Sequence, residues 1–406
     1  MMKRVFNITE YLLSFLIVID CNTIYRQYIS GSVLYSLCAI ILVSLIVTSH
    51  RQLNLGVLFR TLLLVLIIPF FYIYQLAEIP FTNNFRSNLF FVYFFCIFPL
   101  FIVYFNFVKF KLSLFYKFSS IISWLALYSS ILWFLCSFLQ IVQLPHVILN
   151  NWADKAFVPS FYYIYFETQL NVFLGIELVR NSAIFAEAPM FAICLYVSLI
   201  IELLIKNKTN KWHVLFLLLG IVTCISTTAY IVTMIIFSLR FINTHRNNNF
   251  SLFILLLIIF FIFFVISFLL EEKESDNAVS YYSRLEGYIK GWEVFLNNPL
   301  FGKGFYSQTE SNSNSIMVLL SEIGSIGAFP FFFGLLLIPI ILLRNFRTRA
   351  FGYAGLVFFL GYSFTIVTYC LISILFTTFF ISFVKFDFLC SRKQYIYENI
   401  CHNSNL

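Results

Sequence analysis

The chain alternates between long apolar runs and short polar segments along almost its whole length. Continuous apolar runs of about 20 residues are typical of membrane-spanning helices, whereas an outer-membrane barrel shows shorter segments of alternating polarity. Eight runs have the length of one helix, and two are longer. The single runs cover residues 8–26, 33–49, 55–76, 88–107, 117–143, 183–205, 251–270 and 316–342, and the longer runs cover 212–243 and 351–387.

Basic residues between the runs decide how the two longer runs are divided. Clusters of Lys and Arg mark cytoplasmic loops, so consecutive clusters share one side only if each longer run crosses the membrane twice. We predict a break near Ser226-Thr227-Thr228, whose hydroxyls can satisfy backbone groups that a broken helix exposes. About twelve spans result, with both termini cytoplasmic. The clusters contain Lys109, Lys111 and Lys117; Lys206, Lys208 and Lys211; Arg240 and Arg246; Arg344, Arg347 and Arg349; and Arg392 and Lys393.

Composition agrees with this pattern and narrows the class of protein. Hydrophobic residues make up 61% of the 406 residues and charged residues only 11%, which excludes a soluble globule. The net charge of +8 lies in the topology clusters and therefore predicts no nucleic-acid partner. The nine Cys have no metal-ligand spacing, so we expect no metal site. We predict an all-α integral membrane protein, with residues 1–406 forming one polytopic domain in a bacterial inner (cytoplasmic) membrane.

Two segments between the predicted spans are long, and both fall on the outer side of the membrane. They cover residues 144–182 and 271–315, have no excess of Lys or Arg, and contain aromatic residues. The aromatic side chains either form a belt at the headgroup level or stack against sugar rings. We expect both loops to be ordered and functional, because long loops in compact proteins are usually functional when they are ordered. The aromatic residues are Trp152, Tyr162, Tyr163, Tyr281, Tyr282 and Trp292.

The sequence R-N-S-A-I-F-A-E-A-P, residues 180–189, ends the first loop and opens the next span. Pro189 is favourable in the first turn of a helix, so a helix is expected to start there with Glu187 at its N-terminus. One interpretation is structural: Glu187 interacts with the helix dipole and Arg180 extends to the lipid headgroups. The other is chemical, because Arg binds phosphate with two parallel hydrogen bonds and Glu can accept a proton.

The second loop carries a longer series of motifs that continues into the next span. Y-S-R-L-E-G contains Arg284, N-P-L-F-G-K-G spans residues 298–304, and S-N-S-I-M-V-L-L-S-E-I-G-S-I-G spans 313–327. A Pro followed by two closely spaced Gly predicts a tight turn with close backbone approach. The alternative is a structural loop cap and a helix whose glycines serve packing. The segment around Lys303 lacks the spacing of a phosphate-binding P-loop.

In order and sidedness these motifs resemble the O-antigen polymerase (Wzy) and O-antigen ligase superfamily. Its pattern has Glu directly before Pro, whereas Ala188 intervenes here. Where many members, ligases above all, place His before Asn, this chain has Ser313 before Asn314. This difference favours the polymerase branch. The resemblance also implies similarity to the GT-C class of membrane glycosyltransferases.

The resemblance implies a glycosyltransferase that uses no cofactor and whose active site faces the periplasm or cell exterior. The growing polysaccharide on undecaprenyl pyrophosphate would be transferred to the next lipid-linked repeat unit of an O-antigen or capsule. Arg180 and Arg284 are the candidates for stabilising the pyrophosphate, and Glu187 is the first candidate for the general base, with Glu322 as the second. Expected partners are the lipid-linked oligosaccharide, membrane lipid, a chain-length regulator and a flippase. Candidate substrate-binding residues are Lys290, Lys303, Trp292, Asn314 and Glu322.

Four other functions compete with this interpretation. An O-antigen ligase shares the motifs but typically has the missing His. A lipid-linked oligosaccharide flippase would have short loops and cationic residues within its spans, whereas the span interiors here are expected to be nearly free of charge, with the charges concentrated in two external loops. An acyltransferase would need a Ser-His or similar pairing, and the five His are scattered. A sodium-coupled transporter would have a second broken helix matching the one near Ser226.

Overall fold

A computed structural model of the chain describes residues 2–49, 55–78, 84–108, 111–150, 157–173, 176–244, 278–307, 314–365 and 367–383. The predicted span over 251–270 and the positions of Trp152 and Ser313 lie outside these residues. The helices before the first long loop are α1 (Met2–Asp20), α2 (Gly31–Thr48), α3 (Leu55–Glu78), α4 (Asn84–Phe91), α5 (Phe98–Phe107) and α6 (Ser113–Leu132). Those after it are α7 (Ala188–Ile200), α8 (Lys211–Cys224), α9 (Thr227–Thr244), α10 (Ala278–Asn297), α11 (Ser315–Phe332), α12 (Ile338–Leu343), α13 (Arg349–Phe364) and α14 (Leu371–Ile381).

Four π-helical turns extend or join these helices, and one short 3₁₀ helix follows α1. The π turns are Val92–Ile97, Trp133–Phe138, Ile201–Ile205 and Phe333–Leu337, and the 3₁₀ helix is Ile24–Tyr28. Seven helices within the described ranges are long and apolar enough to cross a membrane. The predicted helical membrane class is therefore confirmed, while the number of twelve spans remains a prediction.

The predicted break in the apolar run 212–243 is present between α8 and α9. Ile225 adopts the left-handed conformation (φ 47°) directly after α8, and α9 begins at Thr227. The other long run divides into α13 and α14, as the charge pattern predicts. With 14 and 11 residues, α8 and α14 are shorter than a complete span of about 20 residues.

The two long loops contain regular structure that the sequence did not predict. In the first loop, β1 (His146–Leu149), β2 (Phe157–Phe161) and β3 (Tyr165–Phe166) form an antiparallel sheet in that order. Strands β4 (Leu170–Phe173) and β5 (Ile176–Val179) form a hairpin. The second loop contains α10, a helix of 20 residues that packs against α11. Both loops are thus ordered where they are described.

One end of the helix bundle carries these strands, and we call it the strand face. Hydrogen bonds bring several helix ends together there. The Trp133 indole donates to the Val179 carbonyl (2.6 Å), and the Asn181 backbone N–H donates to the Thr223 carbonyl (3.0 Å). The Ser315 N–H donates to the Thr365 carbonyl (3.1 Å). The strand face therefore gathers both motif-bearing segments, around 180–189 and 314–327.

The opposite end of the bundle contains two buried ionic clusters, and this corrects the expectation that the span interiors are nearly free of charge. Lys117, expected in a loop cluster, is instead buried within α6 and forms an ion pair with the fully buried Glu10 of α1. Glu202, also fully buried, pairs with Lys206 and contacts His213 Nδ1 at 3.0 Å. A carboxylate is tolerated in such a position because a cation and hydrogen bonds compensate its desolvation.

Replacing Lys117 by Met should lower the free energy of unfolding by about 3 kcal/mol, because Glu10 would stay buried without its counter-charge. Tyr104 and Ser113 hydroxyls would still donate to that carboxylate at 2.6 Å each, but neither carries charge. Thermal unfolding of the purified protein in detergent measures the loss. In the control, Glu10→Gln combined with Lys117→Met removes both charges and should recover at least half of it. Equal stability of the single and double variants would contradict a charge-pairing role.

Candidate functional site

A buried segment, residues 181–186, lies at the centre of the strand face. Asn181 fixes its start: the side-chain amide donates to Thr223 Oγ1 (2.8 Å) and Ser129 Oγ (3.2 Å), and its oxygen accepts from the Ala183 N–H (3.0 Å). Ala183 adopts a left-handed conformation (φ 50°), which turns the chain back on itself. Such a conformation in a residue other than glycine costs about 1–3 kcal/mol and persists only where the surroundings enforce it.

Arg180 and Glu187 stand at the two ends of this buried segment, and both are half-buried. Two residues from other parts of the chain tie these ends together. Gln169 accepts from the Arg180 N–H through its backbone carbonyl (3.0 Å) and from the Ala188 N–H through its side chain (3.2 Å). Cys224 accepts from Arg180 Nε through its carbonyl (3.2 Å), and its thiol donates to the Ala188 carbonyl (3.1 Å). The guanidinium group is therefore held beside the start of α7.

Glu187 is the N-cap residue of α7, which begins at Ala188 with Pro189 in its second position. The predicted helix start is thus confirmed to within one residue. The Glu187 backbone is extended (φ −143°, ψ 149°), and its carboxylate does not cap the helix. Instead, the Gln169 side chain accepts from the first helical N–H. The capping position is therefore satisfied without the Glu187 carboxylate.

Helix α11 is interrupted at Gly324, where the backbone adopts φ 63° and ψ −174°. The sequence predicted an unbroken span over 316–342, so this second broken helix corrects that prediction. The turn of residues 298–304 packs into the interruption and satisfies backbone groups on both sides of it. Four hydrogen bonds join them: Lys303 N to Ser321 O (2.8 Å), Gly304 N to Glu322 O (2.9 Å), Ser325 N to Pro299 O (2.9 Å) and Ile326 N to Leu300 O (3.1 Å). The predicted tight turn with close backbone approach is present, and its partner is the broken helix.

Glu322 lies beside this interruption and is only 3% exposed. One carboxylate oxygen, Oε2, accepts from the Tyr306 N–H (3.0 Å) and the Tyr369 hydroxyl (2.8 Å). These two donors come from the end of the turn and from the segment before α14. Glu322 thus joins three parts of the strand face, an arrangement expected of a positioning residue.

The other predicted site residues lie on or near α10 and α11. Arg284 lies in the first half of α10, and its side chain is outside the described part of the chain. Lys290 is exposed and pairs with Glu286 one helical turn away (2.9 Å), and Trp292 is also exposed. The Lys303 side chain is exposed, whereas Asn314 caps α11 by accepting from the Ile316 N–H (2.9 Å). Whether Arg284 meets Arg180 remains a prediction.

Sequence reasoning missed a partly buried ion pair on the strand face, between Asp20 and Arg26. Arg26 Nε lies 3.3 Å from Asp20 Oδ1, and Asp20 Oδ2 accepts from the Leu371 N–H at the start of α14 (2.7 Å). An acidic residue within an apolar run is a sequence signal for such a site, because ionisable groups in membrane segments are rare and usually functional. Gln169 and Cys224 were also missed, and neither carries a comparable signal.

Exposed aromatic side chains project from the sheet of the first loop. Tyr162 and Tyr163, in the turn between β2 and β3, both have left-handed backbones (φ 45° and 63°) and are about half exposed. The His146 ring stacks on Tyr163, with ring centroids 5.0 Å apart. By contrast, Tyr165 is buried against α6 and shares a hydrogen bond with Ser137 (2.6 Å); burial raises the pKa of its hydroxyl well above the usual range.

The helices, the broken α11 and the polar strand face together define a multi-pass membrane protein with a charged site at one end of its bundle. In a comparison with known families, residues 212–328 match the family model described as O-antigen ligase. The match confirms the predicted resemblance to the O-antigen polymerase and ligase superfamily. It includes Arg284, the turn and Glu322, and it begins after Arg180 and Glu187. A search of curated proteins finds no match to the chain.

Proposed function

We propose that this protein is a polysaccharide polymerase of the inner membrane. It transfers a growing chain from undecaprenyl pyrophosphate to the next lipid-linked repeat unit, in O-antigen or capsule synthesis. Both termini lie in the cytoplasm, and the strand face lies in the periplasm or at the cell exterior. The positive-inside pattern supports this orientation, because the basic clusters around 206–211 and 344–349 lie at helix ends away from the strand face.

The observation that carries the proposal is the closure of the segment between Arg180 and Glu187. Gln169 and Cys224 each contact Arg180 and Ala188, so the Arg180 guanidinium group is held near the start of α7, which directly follows Glu187. Arginine suits a phosphate because its planar donors match two phosphate oxygens. A half-buried carboxylate such as that of Glu187 is suited to accept a proton from a sugar hydroxyl.

In the proposed reaction a hydroxyl of the acceptor repeat unit attacks the anomeric carbon of the donor sugar. The new glycosidic bond forms as the bond from that carbon to the pyrophosphate oxygen breaks. Glu187 accepts the hydroxyl proton, and undecaprenyl pyrophosphate leaves with the electron pair. Arg180, joined by Arg284, stabilises the charge that develops on the pyrophosphate. The phosphoanhydride already activates the donor, so the reaction needs no cofactor.

The remaining predicted residues have supporting roles in this proposal. Lys290 and Lys303 are exposed cations that can attract the pyrophosphate, and Trp292 offers an exposed ring for a sugar. Glu322 holds the turn of residues 298–304 on the broken helix, and Asn314 caps the same helix. We therefore assign Glu322 and Asn314 to positioning of the substrate-binding surface.

O-antigen ligase is the second candidate, because that is the description of the matching family. A ligase would transfer the finished polymer to lipid A core. The sequence favours the polymerase, since Ser313 stands where ligases place His. Of the two described histidines, His146 stacks on Tyr163, and His213 contacts Glu202 at the far end of α7.

Deletion of the gene separates the two functions. Loss of a polymerase leaves lipid A core that carries one repeat unit, whereas loss of a ligase leaves undecorated core while polymer accumulates on undecaprenol. In an organism that makes a capsule, the corresponding measurement is the length of the capsular polymer. We expect the single-repeat phenotype, and undecorated core would reject the polymerase in favour of the ligase.

Replacing Glu187 by Gln should lower the rate of polymer extension by about 100-fold or more, because general base catalysis typically contributes that much. Gln preserves the size of the side chain, and the Gln169 cap of α7 does not involve the carboxylate. Radiolabelled repeat units incorporated into polymer by membrane vesicles measure the rate. Unchanged incorporation would demote Glu187 to a structural role at the start of α7.

A further inference from the structure

The ion pair of Asp20 and Arg26 lies between the two motif-bearing segments of the strand face. On one side, the backbone after α1 pairs with the buried segment: the Ala186 N–H donates to the Asn22 carbonyl (2.9 Å), and the Ile24 N–H donates to the Ile184 carbonyl (3.0 Å). On the other side, the Asp20 carboxylate accepts from the Leu371 N–H, and the nearby Tyr369 hydroxyl donates to Glu322. Tyr306 closes the turn of residues 298–304 by donating to Glu322.

The pairing leaves part of the guanidinium group available. Arg26 Nε faces Asp20, and Nη1 donates to the Ile29 carbonyl (2.6 Å). Nη2 makes no hydrogen bond to any described residue, and the Arg26 side chain is 24% exposed. The absence of a side chain at Gly31 gives Nη2 room, since a Cβ there would lie 3.1 Å from this nitrogen.

The charge of the pair is also unevenly compensated. The Asp20 carboxylate, 2% exposed, is shared between Arg26 and the N–H of Leu371 at the N-terminus of α14. A helix N-terminus carries a partial positive charge, so the positive charge around Asp20 exceeds the single negative charge of its carboxylate. The combination of Arg26, Asp20 and this helix end therefore has a residual positive charge that suits an anion.

A stabilising role alone does not explain the ion pair of Asp20 and Arg26. A buried ion pair rarely gains more from attraction than it loses in desolvation, so an apolar pair would serve a structural purpose equally well. Glu10 and Lys117 satisfy each other with three further hydrogen-bonding neighbours, whereas Arg26 Nη2 has no hydrogen bond to a described residue.

We infer that Arg26, positioned by Asp20, is a second pyrophosphate-binding residue, separate from Arg180. The inference rests on the proposed polymerase function, in which two lipid-linked pyrophosphates, one on the donor and one on the acceptor, occupy the protein together. Arg180 precedes the buried segment 181–186, and the candidate base Glu187 follows it. Arg26 follows residues 22–24, whose backbone pairs with residues 184–186. It binds the other pyrophosphate through the Nη2 side of its guanidinium group.

Binding of undecaprenyl pyrophosphate to the full-length protein in phosphatidylcholine nanodiscs tests this directly. We expect two lipid molecules per wild-type chain and one tight site in Arg26→Gln, with the affinity of the other reduced about 10–100-fold by loss of a charged hydrogen bond. Lys208→Gln, an exposed cation at the opposite end of the bundle, is the matched control and should keep both sites. Two unaltered sites in Arg26→Gln would overturn the inference.

A conservative variant separates binding from folding. Arg26→Lys keeps a cation beside Asp20 but loses the planar fork, so the protein should unfold at nearly the wild-type temperature while pyrophosphate binding stays weakened. Full recovery of binding by Lys would argue against the guanidinium edge. A wild-type protein that binds no undecaprenyl pyrophosphate would overturn this inference together with the proposed donor, whereas an effect confined to Arg26→Gln would leave the proposed function intact.

Two substrate analogues identify which pyrophosphate Arg26 binds. A repeat unit joined to the lipid as a C-glycoside has no leaving oxygen and serves only as acceptor, whereas one that lacks the attacking hydroxyl serves only as donor. In Arg26→Gln, we expect the KM for one analogue to rise about tenfold or more with kcat nearly unchanged. The analogue whose KM rises identifies whether Arg26 binds the pyrophosphate of the donor or of the acceptor. Unchanged KM for both would refute the second subsite.

Discussion

Replacing Arg180 by Ala is expected to abolish polymer extension while the protein still reaches the membrane. The guanidinium group is held by the Cys224 carbonyl beside the start of α7, where the proposed leaving pyrophosphate needs a positive charge. Removing one preorganised charge-stabilising group commonly lowers kcat by about 100–1,000-fold. Polysaccharide ladder length in a deletion strain that carries the variant measures the effect. Arg284→Ala is expected to give the same loss.

The matched control for Arg180→Ala is Lys208→Ala, which removes an exposed cation at the other end of the bundle. It should restore a normal ladder at equal protein abundance in the membrane. Arg180→Lys is expected to recover little activity, because an ammonium group lacks the planar donors that match a phosphate. Normal ladders in both Arg180→Ala and Arg284→Ala would show that the catalytic assignment is wrong.

Replacing Gly324 by Ala is expected to lower the free energy of unfolding by about 4 kcal/mol, because two effects combine. The left-handed backbone (φ 63°) strains any side chain. The added Cβ would also lie 2.5 Å from the Phe301 backbone nitrogen, which cannot move without breaking the turn. We expect the variant protein to be lost from the membrane. Its abundance on a blot and its unfolding temperature in detergent measure the loss.

Ser325→Ala is the control for Gly324→Ala, since it changes the next residue without adding a Cβ. It removes one exposed hydrogen bond from the Ser325 hydroxyl to the Pro299 carbonyl (2.8 Å), which costs about 1 kcal/mol. The backbone bond from the Ser325 N–H to the same carbonyl remains. Similar losses for both variants would mean that the turn tolerates displacement, contrary to the packing described.

The helical framework was predictable because a membrane-spanning helix requires a long apolar run. This requirement does not depend on which other helices the span packs against. The break near Ser226 was visible for a related reason, whereas the break at Gly324 lies inside the predicted span 316–342 and was not predicted. Hydroxyl and glycine residues are the local means by which a helix in a membrane is interrupted. The start of α7 followed from Pro189. These features depend on short stretches of sequence, which is why the charge pattern and the motifs located them.

The strands of the first loop and the geometry of the site depend on distant parts of the chain. Strands β3 and β5 are only two and four residues long, too short for a periodic pattern. Closure of the segment from Arg180 to Glu187 requires Gln169 and Cys224. Arg26 shares Asp20 with Leu371, a residue 351 positions away from that carboxylate in the sequence. No local pattern encodes these contacts.

Transfer by the purified protein is the most direct test of the proposed polymerase. The full chain is reconstituted in liposomes with lipid-linked repeat units alone, and the length of the saccharide on undecaprenyl pyrophosphate is measured over time. We predict a ladder of products that increase by one repeat unit, without added nucleotide or metal. A reaction that yields no polymer, yet transfers saccharide to lipid A core once core is added, would contradict the proposal and identify a ligase.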